Sequence, residues 1–337
     1  MPKISVLIPV FNSEKYLKNC LKSVVNQTFD DIEIIVINDG SYDNSEKIIN
    51  SFKKNDNRIR IINKENTGYA NSLNVAIKEA KGEYISIIES DDIANPKLLE
   101  VLFNEAEKNN TDITKASFYL LKKEKYAKYP AFKGIDTSII HNVSQTPEIL
   151  TIKPSVWSAI YKKDFILRNK LFFNETSGAS YQDTSFQFKA MYLAKKIKLI
   201  NTPLYLYRID NANSSINSSD KVFDICNEFS VINSFLENEE LKNEIINQKI
   251  LFELRAYIWN IKRIKEKYLA GFVEKIFDVM KEYNYEAFLA DKKIPFEDKA
   301  KFWLLLNHKK IFISIFWHLK NYANRKVCNK IKFERFE

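Results

Sequence analysis

The chain has 337 residues, 45% of them hydrophobic and 28% charged, long enough for about two domains and a sizeable core, with no repeat or low-complexity tract. Its net charge of +9 is uneven: from Lys309 to Glu337 eight basic residues face two acidic ones, so +6 of the total sits in the tail. Cys20, Cys226 and Cys328 lie far apart without CxxC spacing, and only His141, His308 and His318 carry imidazole, which implies no disulfide framework and argues against a thiolate or histidine metal site.

From residue 3 to about 110, strand-length runs alternate with helical patterns. Ile4–Val10, Ile32–Ile37, Ile59–Ile62 and Tyr84–Ile88 are rich in Ile and Val and read as strands. Leu17, Cys20, Leu21, Val24 and Val25 recur at helical spacing behind Ser13, an expected N-cap; Asn66-Thr67-Gly68 precedes a helix over Tyr69–Ala80; Asn95-Pro96 opens another before Leu98, Leu99 and Leu102. This alternation predicts right-handed βαβ units, hence an α/β fold with a mostly parallel sheet flanked by helices. Ligands of such sheets bind outside the carboxyl ends of the strands. There the polar residues collect: Pro9-Val10-Phe11-Asn12 after the first strand, Asn38-Asp39-Gly40-Ser41 after the second, Glu89-Ser90-Asp91-Asp92 after the fourth. The last group sets three carboxylates within four residues at the end of a buried run. Unpaired buried charge costs roughly several kcal/mol, so a cation is expected beside it, and hard oxygen donors suit Mn²⁺ or Mg²⁺.

A second segment, about 111 to 215, mixes strands (Asp112–Leu121, Val156–Tyr161, Leu204–Arg208) with a helix from Thr184 to about Ala194. From about Asp220 the pattern is helical, with Gly271 and Pro295 as breakers and the Asn/Ser-rich stretch Asn211–Ser219 as the linker. Two domains are expected, residues 1–215, with a nucleotide half to about 110 and an acceptor half beyond it, and a helical domain over 216–337. No run reaches the ~18 apolar residues of a membrane span, and Ile4–Val10 is too short for a signal-peptide core, so a cytoplasmic location is expected.

The motifs ISVLIPVFNSEKYL (Ile4–Leu17), IEIIVINDGSYDNS (Ile32–Ser45), NTGYANSLNVAIKEAKGEYI (Asn66–Ile85), ESDD, PSVWSAIYKKDFI (Pro154–Ile166) and SYQDTSF (Ser180–Phe186), in this order, resemble the inverting nucleotide-sugar glycosyltransferases of family 2. These have the Rossmann-like GT-A fold, and the likeness is greatest to bacterial enzymes of capsule and lipooligosaccharide synthesis. By that resemblance Pro9, Phe11, Asn12, Lys64, Gly68, Asn74 and Ser90 border the nucleotide of a UDP-sugar, and Asp39 accepts a hydrogen bond from base or ribose. ESDD stands for the family's DxD motif, with Asp91 the direct ligand of Mn²⁺ or Mg²⁺ and Glu89 in place of the first Asp. Where the family often shows Ala-Arg-Asn, this chain has Ser72-Leu73-Asn74, leaving the diphosphate to the metal and Lys64. Asp183 matches the catalytic base, Trp157 and Gln182 fall on the acceptor side, and Tyr207, Arg208, Asn213 and Ser214 follow where a closing loop could meet phosphate. The implied acceptor is a glycan or lipid-linked glycan.

Other readings stay open. Asp39-Gly40 also suits a plain turn, Asp183 a helix cap, and Trp157 a core position. The same cleft would serve a polyol-phosphate transferase, or a non-catalytic glycan-binding module. In the tail, Phe312, Phe316, Leu319, Ala323 and Val327 share one helical face with basic residues on the rest, a pattern for anionic membranes at the inner face of the cell membrane or for packing on its own domain. No recognition motif supports a nucleic-acid partner.

Overall fold

The computed structural model describes residues 1–176, 180–211, 221–316 and 334–335. They form two compact units: residues 1–143, 152–176, 180–211 and 334–335 in one, residues 144–151 and 221–316 in the other.

In chain order the first unit begins β1 (Ile4–Val10), α1 (Glu14–Val25), β2 (Ile32–Asp39), α2 (Ser45–Lys53), β3 (Ile59–Lys64), α3 (Tyr69–Glu79) and β4 (Tyr84–Ile87). It continues β5 (Ile93–Ala94), α4 (Leu98–Asn109), β6 (Ile113–Lys122), β7 (Lys125–Lys128), β8 (Ile140–His141), β9 (Ala159–Lys162), α5 (Lys163–Arg168), α6 (Gln182–Leu193) and β10 (Ile197–Arg208). The strands β3-β2-β1-β4 are parallel neighbours. All seven residues of β1 are buried, as a strand covered by helices on both faces requires, which is why these runs are continuously apolar rather than alternating. Past β4 the sheet changes direction: β9 is antiparallel to both β4 and β6, and β10 runs parallel to β6. The expected parallel sheet is therefore one half of a mixed sheet. The chain reverses its strand order between β1 and β4, which makes the carboxyl ends of these two strands the crevice of the fold.

Some local expectations shift. The run Val156–Tyr161 begins with a 3-10 turn, Val156–Ser158, before β9. Ser13 stands at the N-cap of α1 without capping it; its hydroxyl is turned toward the sheet edge, 2.7 Å from Ser90 Oγ.

The second unit comprises the 3-10 turn Pro147–Thr151 and helices α7 (Asp224–Leu236), α8 (Asn243–Ile261), α9 (Glu266–Met280), α10 (Tyr285–Ala290) and α11 (Phe296–Asn307). Pro295 precedes α11 as expected, whereas Gly271 lies inside α9 and breaks nothing. Residues 309–316 are helical, and Phe312 and Phe316 are buried with ring centroids 4.5 Å apart. Those two members of the supposed membrane face thus pack inward; Leu319, Ala323 and Val327 lie outside the described residues.

Candidate active site

The end of β2 is built around Asp39, 4% exposed. Its Oδ1 accepts from the backbone N–H of Thr67 at 3.0 Å and pairs with the Lys64 ammonium, while Oδ2 accepts from Gly68 N–H at 3.0 Å. Gly40 follows with φ 71°, and a Cβ there would stand 2.9 Å from Asn66 N, so the turn requires glycine on both counts. Gly68, φ 96°, opens α3, and the next residue carries the connection onward: Tyr69 donates from its hydroxyl to Glu89 Oε1 at 2.6 Å. One helix start thus joins the second strand's carboxylate to the acidic loop after β4.

The first strand supplies the near wall. Pro9 is buried in β1, Phe11 is 45% exposed with its ring edge-on to Tyr42, and Asn12, φ 48°, accepts from Tyr42 N–H at 3.0 Å. Ser90 meets Ser13 across the crevice. These residues, with Asp39 and Gly68, gather at one edge of the sheet. Lys64 is there too, with its ammonium engaged by Asp39, Thr67 Oγ1 and the Glu65 carbonyl. Asn74 is 3% exposed and clamps α3 to Phe173 N–H and C=O and to Glu175.

In the acidic loop the carboxylates are held by neutral hydrogen-bond donors, Tyr205 among them for Asp92, and have too little counter-charge. Asp91 Oδ2 accepts from Asn211 Nδ2 at 2.7 Å, and Asp92 Oδ1 from the backbone of Arg208 at 2.7 Å. The Arg208 side chain donates to the Asp91 carbonyl at 2.8 Å and stacks 4.4 Å over Tyr16. Arg208, expected in a closing loop, is therefore the cation of this wall; Asn213 and Ser214 lie outside the described residues. Burial pushes the Glu89 carboxyl up to about 8, with the charges of Asp91 and Asp183 adding to it. Burial also raises Asp91 and Asp183. Glu89 thus feels both Asp91 and Asp183.

Among the described residues no group of three or more His, Cys, Asp or Glu forms a preassembled metal cage. Mg²⁺ and Mn²⁺ sites of substrate-bridging type do not need one, since one or two carboxylates and phosphate oxygens suffice. Asp91 and Glu89 each keep one oxygen uncommitted to a neighbouring side chain, and their raised carboxyls mark a place where added positive charge is favourable. The donor set fits a hard divalent cation.

Asp183 sits in the first turn of α6, whose N-cap is Tyr181 at φ 61° with no side-chain cap bond. Asp183 is therefore not the N-cap residue; its carboxylate accepts from backbone N–H groups at the helix start, and among the described residues no side chain hydrogen-bonds or ion-pairs with it. Lys153 and Lys115 stabilise its charge against burial. Gln182 is 2% exposed and accepts from Ser180 N–H while donating to Thr176 at 2.7 Å, which fastens the loop before α6. Trp157 is 5% exposed, stacked on Tyr205 and Tyr207 and edge-on to Phe118, so its geometry is that of the core reading. Tyr69, Lys115 and Lys153 were missed from sequence. A lysine inside the strand ITKASFYLL was the one available signal.

The model of the family described as glycosyl transferase family 2 matches residues 5–172. Glycosyltransferase GlyG of Streptococcus pneumoniae serotype 4 is 36% identical over 213 residues, which cover 61% of this chain and 70% of that protein. This chain belongs to glycosyl transferase family 2. It is accordingly a transferase enzyme. A second member, the uncharacterized glycosyltransferase EpsJ of Bacillus subtilis, is 31% identical over 219 residues, 64% of this chain and 63% of EpsJ. Among solved structures, S. aureus TarS 1-349 in complex with UDP superposes with a TM-score of 0.70 at 18% identity, covering 99% of this chain and 97% of that one. That likeness is one of fold, and the family 2 enzyme described here has the GT-A arrangement with a helical region after it.

Proposed function

We propose that this family 2 enzyme moves a sugar from a nucleoside diphosphate, UDP in the first instance, to a hydroxyl of a bacterial surface glycan, inverting the anomeric carbon. The observation that carries the reading is the convergence on Glu89, at the switch point of the sheet, of the charges of Asp91 and Asp183, which add to burial in raising its carboxyl. Phe11, Asn12 and Asp39 receive the nucleoside, where a carboxylate can take the N3 hydrogen of uracil and discriminate against bases without that donor. Asp91, with Glu89 beside it, would hold Mn²⁺ or Mg²⁺ against the diphosphate, the cation acting as Lewis acid and template when bound. Asp183 takes the proton of the attacking acceptor hydroxyl as the glycosidic bond forms and the bond to the diphosphate breaks. UDP-bound and UDP-GlcNAc-bound forms of the TarS relative in fold support a nucleotide-sugar donor. Capsule or lipooligosaccharide chains, free or lipid-linked at the inner face of the cell membrane, are the proposed acceptors.

A screen of UDP-glucose, UDP-galactose, UDP-N-acetylglucosamine, GDP-mannose and CDP-glycerol for nucleotide release in Mn²⁺ tests this. Release of UDP, stopped by EDTA, is expected; release from CDP-glycerol alone would point to polyol-phosphate transfer, and release from none of the five to a binding module.

A further inference from the structure

Two lysines on the acceptor side have no role in the reaction as drawn so far. Lys115, on β6, is fully buried, and its ammonium donates to the Ser155 carbonyl and to Ser158 Oγ at 3.1 Å. Lys153 has no ion pair to any described carboxylate. Its Nζ instead stands 4.9 Å from the ring centre of Tyr207, 5.3 Å from Tyr129 and 5.6 Å from Phe118. Cation–π attraction from three rings offsets part of the cost of removing an ammonium from water without a contacting anion. The segment bearing Lys153 is fixed to α6 by Gln187, one helical turn beyond Asp183 on the same face. Gln187 accepts from Ser155 N–H at 2.9 Å and donates to the carbonyls of Ile152 and Lys153 at 2.9 and 3.1 Å. The face of α6 that carries Asp183 is therefore held against the segment that carries the caged ammonium.

We propose that Lys153 is a positioning residue for Asp183: its caged ammonium keeps Asp183 ionised from beyond contact distance, so the carboxylate oxygens stay open to the proton they must accept. The proposal rests on Asp183 being the base. A lysine in direct contact would occupy one of those oxygens; one held back by aromatic rings acts through its field alone. The charged and titratable groups facing Asp183 are Lys153, Lys115 on β6, Glu89 in the acidic loop, Tyr69 on α3, Tyr161 on β9 and Tyr207 on β10. Burial raises Asp183, Lys153 is the largest opposing influence, and Lys115 follows. Burial pushes Lys115 itself down to about 7, so its charge is only partial at neutral pH; burial lowers Lys153 as well, opposed by the charges of Asp183 and Asp92. Glu89 and the tyrosines work the other way or stay neutral.

The test is the pH dependence of kcat, at saturating Mn²⁺ and with the nucleotide sugar turned over in the screen above, for the wild type, Lys153→Met, Lys153→Arg and Asp183→Asn. Removing the ammonium raises the pH at which Asp183 becomes a base. In Lys153→Met the acid limb should move up by about one pH unit, a roughly tenfold loss on that limb that closes as the pH rises. Lys153→Arg should keep the wild-type limb, and UDP should bind all four proteins alike. Should the methionine variant fail to fold, Lys153→Gln gives the same reading. A profile unchanged, or lowered evenly at every pH, overturns the proposal while leaving the base assignment standing. An active Asp183→Asn removes that assignment itself, and the proposal with it.

Discussion

The two carboxylate sites at the sheet edge are finished in opposite ways. Asp39 is completed by the chain itself: a lysine and two backbone amides converge on it, and it ties the end of β2 to the start of α3. The loop from Glu89 to Asp92 is left short of positive charge, with Arg208 contributing a single guanidinium directed at a backbone carbonyl and Glu89 held near 8. A satisfied carboxylate makes a fixed recognition point. An under-compensated cluster makes a site that a cation and its anionic substrate complete. Lysines divide in the same manner: in the second unit Lys249 is buried against Glu253 at 2.6 Å in a closed pair, whereas Lys153 makes no ion pair among the described residues and faces aromatic rings instead.

The comparison breaks most visibly at the reacting end. Asp183→Asn should lower kcat by roughly 10³-fold, the range expected for losing a general base, with UDP affinity unchanged by titration calorimetry. Asp91→Ala should weaken Mn²⁺-dependent UDP binding roughly 10- to 100-fold while leaving the melting temperature near that of the wild type. Asp39→Asn acts in the reverse sense: it should cost about 1–3 kcal/mol in denaturant unfolding, because the Lys64 ammonium loses its charged partner, with a smaller effect on UDP binding. The least effect concerns pH. Because the Glu89 carboxyl is raised from 4.5 to about 8 in the fold, its contribution to metal-free stability is full below about 4.5 and declines as the pH climbs through 8. Melting curves in EDTA should show this decline flattened in Glu89→Gln, and Mn²⁺ should stabilise the wild type more at pH 8 than at pH 6.

Much of the parallel half was legible because its signals are local. The Ile/Val runs of β1 to β4, and the rule that ligands gather at strand carboxyl ends, placed Asp39 and the acidic loop at one edge before any coordinates. What sequence could not supply was pairing across the chain. Lys64 stood free in the sequence and is tied to Asp39; Asn74 and Gln182 looked like ligand contacts and are buried clamps; Ser13 looked like a cap and turns its hydroxyl to Ser90. Trp157 had two faces to offer until tyrosines two residues apart on β10 stacked against it. The Lys153 cage draws Phe118, Tyr129 and Tyr207 from three places in the chain, a grouping that depends on the long-range pairing of β6 with β10.

In the proposed reaction Asp91 and the donor diphosphate share one divalent cation. Electron paramagnetic resonance of Mn²⁺ titrated into the protein, with and without UDP, tests it most directly. Weak binding alone, at least about tenfold tighter binding with UDP, and loss of both in Asp91→Ala but not in Asp183→Asn are expected. Equal UDP binding in Mn²⁺ and in EDTA, or Mn²⁺ binding that survives Asp91→Ala, would contradict it.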